Sequence, residues 1–315
     1  MVLTYKARVS DPLPSTPIDA TTRYCAVYGH PIKHSASPAM QNAGLAALGL
    51  NWRYLAFDVS PDCLEQAING AKVMNFVGLN LTVPHKLLAV GMVDVLDESA
   101  RRWGAVNTIR FEGKHSTGTW QPLCDWEDPP PQIRSHGFNT DADAIVRALR
   151  EDLGLEVAGA KVLLVGAGGA GRTAALKLAA ENVRELFLVN RTQSKAQKLA
   201  DEIREHSPAV QVSLGYPLGP VDLVLNATSI GLKEADDLPL DESSFSLNQT
   251  TAVYDMIYRP AETPLLKRAR ELDRRSANGL GMLLYQGAKA LEIWTGRAAP
   301  IDVMRRALEN NIYGG

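Results

Sequence analysis

Gly166, Gly168 and Gly171 stand in G-x-G-x-x-G spacing within VLLVGAGGAGRTAALKLA, directly after an apolar run and directly before a helical pattern. The chemistry this spacing serves is anion binding. Glycines allow a tight turn, let the main chain approach a pyrophosphate and let the helix pack on the strand, while the helix N-terminus offers unbonded N–H groups. The motif alone is a weak signal. Between a strand and a helix it favours a dinucleotide over a purely structural turn, and it makes the stretch Gly166, Ala167, Gly168, Gly169, Ala170 and Gly171 the candidate cofactor cradle.

The next apolar run, ELFLVN, ends where an NAD-specific site usually places an acidic residue for the ribose 2′-hydroxyl. This sequence has Asn190, Arg191 and Thr192 there, with Lys195 one helical turn on. A guanidinium, an ammonium and two hydrogen-bonding side chains suit a 2′-phosphate, so NADP is expected rather than NAD. Thr192 also fits as the cap of the helix QSKAQKLADEI. NATSIGL, residues 226–232, follows another apolar run and would lie at the sheet end where such folds bind ligands; a plain polar turn fits it equally well.

A second group of reactive side chains lies in NLTVPHKLLAV, where Thr82, His85 and Lys86 surround Pro84 at the end of an apolar run. Proline stops the strand pattern, and Lys86 falls in a first helical turn, a position the helix dipole does not favour for a cation. For Asp141, before ADAIVRALRED, and Ser37, before Pro38, the local reading is a helix start.

These residues must be held by an α/β architecture. From Tyr24, short β-rich runs alternate with helical ones: YCAVYG, SPAMQNAGLAALG, WRYLAFDV, PDCLEQAING, NFVGLNLT and PHKLLAVGMVDVL. That alternation specifies βαβ units and a mostly parallel sheet. A second such series starts near Lys161, and 315 residues suffice for two domains. Between them GKHSTGTWQPLCDWEDPPPQIRSH, residues 113–136, has no usable period and reads as an ordered or mobile loop. GMLLYQGAKALEIWTG has helical spacing.

Composition narrows the function classes. With 33 basic and 35 acidic residues the net charge is −2, which implies no nucleic-acid partner. No apolar run is long enough to span a bilayer, and Met1–Thr22 is polar and proline-containing, which reads as a loose extension rather than a signal peptide. Cys25, Cys63 and Cys124 form no CxxC pair, so free thiols in the cytoplasm are expected.

Taken in order, YGHPIKHSASPAMQN, GLNLTVPHK, GAVNTI, GFNTD, VGAGGAGRTA, NRTQSKA, NATSIGL, DMIYRPAETPLL and NGLGMLLYQGA resemble the motifs of the shikimate dehydrogenase family, within the shikimate/quinate dehydrogenase superfamily. The resemblance runs from about Tyr24 to Pro300. It implies an α/β substrate domain (1–140 and 279–315), a Rossmann-like NADP domain (141–278), and C-terminal helices that return to the first domain. It also implies reversible, NADPH-dependent reduction of 3-dehydroshikimate to shikimate without a metal, in a monomer or homodimer.

By the same resemblance Lys86 is the catalytic acid and base, with Asp141 assisting. Ser35, Ser37 and Tyr258 would hold the substrate carboxylate, and Asn80, Thr82, Asn107 and Gln286 the ring hydroxyls. Thr228, Met256, Gly279 and Met282 would line the nicotinamide side. Such chemistry is coherent: a small polyhydroxylated acid is fixed by directional hydrogen bonds, and hydride delivery to a ketone builds oxyanion charge that an ammonium stabilises and protonates. His85 is then expected to be a hydrogen-bonded structural histidine. The family usually joins GAVNTI to GFNTD by a short turn, so the 113–136 insertion, with surface decoration as its default reading, bears on substrate preference. Alternatives are a quinate or aminoshikimate dehydrogenase of the same superfamily, or a non-catalytic NADP-binding sensor.

Overall fold

The structure, a computed structural model, describes residues 17–233 and 235–314. Most of the Met1–Thr22 extension therefore lies outside the described residues. Its last residues form a turn, in which Asp19 Oδ1 accepts from Thr21 N (2.8 Å) and Thr22 Oγ1 donates to Asn51 Oδ1 (3.0 Å).

The elements, in chain order, are β1 (Arg23–Gly29), α1 (Ser37–Ala47), β2 (Trp52–Asp58), α2 (Leu64–Val73), β3 (Gly78–Leu81), α3 (His85–Leu88), β4 (Val95–Leu96), α4 (Glu98–Trp103), β5 (Thr108–Lys114), β6 (Trp120–Pro122) and β7 (Ile133–Phe138). Then come α5 (Asp141–Leu153), β8 (Lys161–Val165), α6 (Gly169–Ala180), β9 (Glu185–Val189), α7 (Gln193–His206), β10 (Gln211–Leu214), β11 (Val221–Asn226), β12 (Thr250–Asp255), α8 (Pro264–Glu271), β13 (Arg275–Asn278), α9 (Leu280–Thr295) and α10 (Ile301–Tyr313). They fall into two compact units.

The first unit holds the described residues up to Asp97, Ala105–Phe138 and Ala288 onward. Its sheet runs β2-β1-β3-β5-β7-β4, with β6 on β5. β1 is parallel to β2 and β3, and β4 to β7, whereas β5 is antiparallel to β3, β6 and β7. β1 has neighbours on both sides and reads as a continuous apolar run, with Cys25, Ala26, Val27 and Tyr28 all buried. The C-terminal segment completes this core. Trp294 is 1% exposed, donates its Nε1–H to Ile109 O (2.9 Å) and occupies the space beside Gly78, where an added Cβ would lie 2.1 Å from that nitrogen.

Residues 113–136, read from sequence as an ordered or mobile loop, are partly strand. β5 extends to Lys114, β6 pairs with it, and β7 starts at Ile133. The pairing is stabilised by non-local contacts that no period along the chain reveals. Glu112 sits opposite Arg134, and its buried carboxylate accepts hydrogen bonds from Arg134 Nε (2.7 Å), His136 Nδ1 (3.0 Å) and the Arg110 guanidinium. Burial by itself would raise the Glu112 pKa, but the hydrogen bonds from His136, Arg110 and Arg134 bring it down to about 2.

The second unit holds Glu98–Gly104 and Asn139–Gly287. Its six strands are all parallel, in the order β10-β9-β8-β11-β12-β13. Counted from β8, this is the 3-2-1-4-5-6 order of dinucleotide-binding sheets, with the reversal of direction between β8 and β11. Leu163, Val165, Val224 and Val253 pack with Phe245, Leu247, Leu265 and Ala269 in its core. Gly154 ends α5 with φ +60°, a left-handed cap that favours glycine.

Candidate active site

In the second unit the glycine turn leaves β8 at the switch point. Two of its glycines are required by packing. Gly166 has φ +107°, and a Cβ there would lie 2.9 Å from the Ala227 carbonyl; a Cβ on Gly171 would lie 2.0 Å from Gly166 O. Gly168 and Gly169 face nothing within 4 Å, and residues 168–170 are exposed. The N-terminus of the 12-residue α6 is thus open where a pyrophosphate would rest.

Asn190 secures this turn to the next strand. Its Oδ1 accepts from Ala167 N (2.9 Å), and its Nδ2 donates to Thr192 O (2.8 Å). Thr192 is the N-cap of α7 but makes no side-chain cap bond. Arg191, Thr192 and Lys195 are exposed, and among the described residues the Arg191 and Lys195 side chains have neither a hydrogen-bond partner nor a carboxylate. Two uncompensated cations beside an open helix N-terminus fit a phosphorylated ribose.

At the neighbouring strand ends the side chains form a network that sequence reasoning missed apart from Thr228. Asn226 Oδ1 accepts from Thr228 N (3.0 Å) and Thr228 Oγ1 (2.8 Å), while Asn226 Nδ2 donates to Ile230 O (3.2 Å) and Asp255 Oδ1 (3.0 Å). Thr263 Oγ1 donates to Asp255 Oδ2 (2.7 Å). Burial raises the Asp255 pKa, and bonds from Thr263, the Ile257 main chain and Asn226 offset part of that rise. The available signal was polar Asn226 and Asp255 closing otherwise apolar strands.

This network fixes the ends of β11 and β12. Met256 N donates to Asn226 O (2.9 Å), and Gly279 passes so near that a Cβ would meet Met256 O at 2.1 Å. Met282 N donates to the buried Tyr254 hydroxyl (3.3 Å). Gln286 donates to its own helix at Leu283 O (2.8 Å), and Tyr258 is half-buried, its phenol pKa raised by that burial. Asp141 opens α5 and is buried; Asn139 Oδ1 accepts from Asp141 N (3.1 Å) and Ala142 N (3.2 Å). Asn139 therefore does the capping, which leaves the Asp141 carboxylate out of that role.

In the first unit, main-chain bonds draw several candidates together at the end of β3. Thr82 N donates to Tyr28 O (2.9 Å), His85 N to Thr82 O (2.8 Å) and Val106 N to Lys86 O (2.8 Å). Lys86 is half-buried in the single turn of α3. Asn80, 6% exposed, accepts from the Tyr54 hydroxyl (2.7 Å) and donates to Asn107 O (3.1 Å) and Thr108 Oγ1 (3.0 Å). Thr108 Oγ1 in turn donates to Asn107 Oδ1 (3.3 Å). Ser37 is the first residue of α1 and makes no cap bond; its N–H donates to Ser35 Oγ (3.4 Å).

His85 departs from expectation. It is fully buried, yet neither ring nitrogen has a hydrogen-bond partner. Burial lowers its pKa, and the Val59 main chain, close enough to act on the ring though not in hydrogen-bonding geometry, partly opposes that effect. A proton-transfer role for His85 has no geometric support.

A parallel sheet of this order, an open glycine turn at its switch point and free cations at the end of the adjoining strand define a dinucleotide-binding α/β oxidoreductase. Family models refine the class: the shikimate dehydrogenase substrate binding domain matches residues 27–109, the shikimate/quinate 5-dehydrogenase model 148–232, and the shikimate 5′-dehydrogenase C-terminal domain 279–309. The chain belongs to the shikimate dehydrogenase family. The shikimate dehydrogenase (NADP(+)) of Methanopyrus kandleri is 40% identical over 301 residues, covering 93% of this chain and 97% of that protein. A crystal structure of a shikimate dehydrogenase in complex with NADP+ superposes with a TM-score of 0.81 at 37% identity, covering 96% and 99% of the two chains. The quinate dehydrogenase of Corynebacterium glutamicum, in complex with NAD, gives 0.76 at 29% identity, covering 91% and 98%.

Proposed function

We propose that this protein catalyses the reversible NADP-dependent reduction of 3-dehydroshikimate to shikimate, with the first unit holding the substrate and the second the dinucleotide. The observation that carries the reading is the grouping of Thr82, Lys86 and Asn107 by main-chain bonds around the end of β3, in a chain whose relatives share it over nearly its whole length. Bound NADPH supplies the hydride. Gly168, Gly169 and Ala170 would receive its pyrophosphate, Arg191 and Lys195 its 2′-phosphate, and Thr228, Met256, Gly279 and Met282 its nicotinamide end.

Lys86 acts on the substrate oxygen. As negative charge grows there, the ammonium stabilises it and delivers a proton; in the oxidative direction the neutral amine takes the proton back. Asp141 is the second catalytic residue. Ser35, Ser37 and Tyr258 are assigned to the carboxylate, and Thr82, Asn107 and Gln286 to hydroxyls. Asn80 acts chiefly by positioning Asn107, because its own amide is engaged by Tyr54, Asn107 and Thr108. The free thiols suit a cytoplasmic enzyme, and no described helix is long and apolar enough to cross a membrane.

The deciding experiment follows nicotinamide absorbance with shikimate and quinate offered separately, each with NADP+ and NAD+. Reduction of NADP+ by shikimate, lost in Lys86→Ala, supports the assignment. Turnover chiefly of quinate with NAD+ would move the protein beside the Corynebacterium enzyme. Binding of NADP+ without turnover of either acid would overturn a catalytic role.

A further inference from the structure

The insertion that the sequence presents as surface decoration builds one wall of a cavity of about 450 Å³ in the first unit. That volume lies within the range of small-molecule sites. The start of β1 and the end of α2 form the other side, with Arg23, Tyr24 and Met74 facing Trp126, Glu127 and Asp128.

The lining combines three chemistries. Arg23, half-buried, donates Nη1 to Leu123 O (2.7 Å) and Nη2 to Trp126 O, both neutral carbonyls. No described carboxylate pairs with it, so among the described residues its charge is uncompensated, and two of its five N–H groups are used by these carbonyls. Glu127 and Asp128 are exposed and, among the described residues, equally without a cationic partner. Opposite charges thus line one cavity without neutralising each other. Between them lie apolar surfaces: Tyr24, packed against Phe76 at 5.8 Å, exposed Met74, and Trp126, on which His115 stacks at 4.3 Å. The Trp126 Nε1–H is enclosed and lacks any acceptor.

We infer that this cavity binds a small zwitterion with an apolar body, the chemical class of an α-amino acid with a large aliphatic or aromatic side chain. Its carboxylate would lie at Arg23, its ammonium at Glu127 and Asp128, and its body between Tyr24 and Met74. The inference is independent of the catalytic assignment, since no residue of the proposed active site lines this cavity.

Isothermal titration of the full chain with L-phenylalanine tests it, with phenethylamine, 3-phenylpropionate and glycine as probes lacking the carboxylate, the ammonium and the body. Binding of phenylalanine at least tenfold tighter than any of the three is the expected result. Ala20→Trp, at an exposed lining position, is expected to abolish binding, and Glu127→Gln with Asp128→Asn to weaken it at least tenfold, with thermal midpoints unchanged. No heat with phenylalanine, equal binding of the half-charged analogues, or full binding by Ala20→Trp would each overturn the proposal. A thermal midpoint and circular dichroism spectrum matching those of the unaltered protein confirm that Ala20→Trp is folded.

Discussion

The polar side chains of the two units are organised in opposite ways. Around the end of β3, Asn80, Asn107, Thr108 and Tyr54 are bonded to one another, so the first unit presents few loose polar groups. At the end of β9, Arg191 and Lys195 are exposed and have no partner among the described residues. The difference follows from the ligands proposed for each. A small acid with several ring hydroxyls is recognised largely by direction, which demands side chains already fixed in place. A phosphate is recognised by charge, and mobile cations on long stems suffice for it.

Each side of that contrast yields a test. The largest effect is expected for Lys86→Ala, which should lower kcat by roughly 10²–10⁴-fold with a lesser change in KM, since in the proposed mechanism the ammonium acts on charge present only in the transition state. Steady-state kinetics in both directions would show it, and an unchanged kcat would remove Lys86 from the chemistry. Next is Asn80→Ala. Losing three internal hydrogen bonds and leaving Tyr54 and Thr108 with unmet groups should cost roughly 3 kcal/mol in unfolding free energy, read by denaturant titration. If Asn80 instead contacts substrate as a loose side chain, stability will be kept and KM alone will rise.

Arg191→Ala should weaken NADP(H) roughly tenfold, on the basis of about 1.5 kcal/mol for a charge-assisted bond, and leave NAD(H) nearly unchanged. Equal losses for both nucleotides would break the 2′-phosphate assignment. The smallest effect at neutral pH concerns acid sensitivity. Because the Glu112 carboxylate is held at about 2, below the ordinary glutamate value of 4.5, its contribution to stability is full above that ordinary value. The contribution is lost as pH falls through about 2, so Glu112→Gln should flatten the stability profile between these limits. A profile as steep as that of the unaltered protein would show that other carboxylates dominate.

What could be read from the sequence was local. The glycine turn, Arg191 and Lys86 each sit within a few residues of the strand end that explains them, and the alternation of runs gave both α/β lobes. What escaped was set by partners far along the chain. Glu112 meets Arg134 only once β5 and β7 pair, so the proline-rich insertion read as a loop, although Ser116-Thr117-Gly118 was a usable turn signal. Asn139 hid as a cap because Asp141 offered the more familiar acid, and the Asn226–Asp255–Thr263 network exists only where β11 and β12 lie side by side. His85 was misjudged because burial without a hydrogen-bond partner is uncommon for imidazole.

Trp294 carries one more consequence. It fills the space against Gly78 and Ile109, so the core of the first unit is closed by residues translated long after the strands they cover. On the ribosome the nascent strands β1, β2 and β3 must wait, unsealed, while the whole second unit is synthesised and gains its chance to fold first. The first unit is therefore the first to be begun and, because Trp294 must arrive before its core can close, the later of the two to be completed.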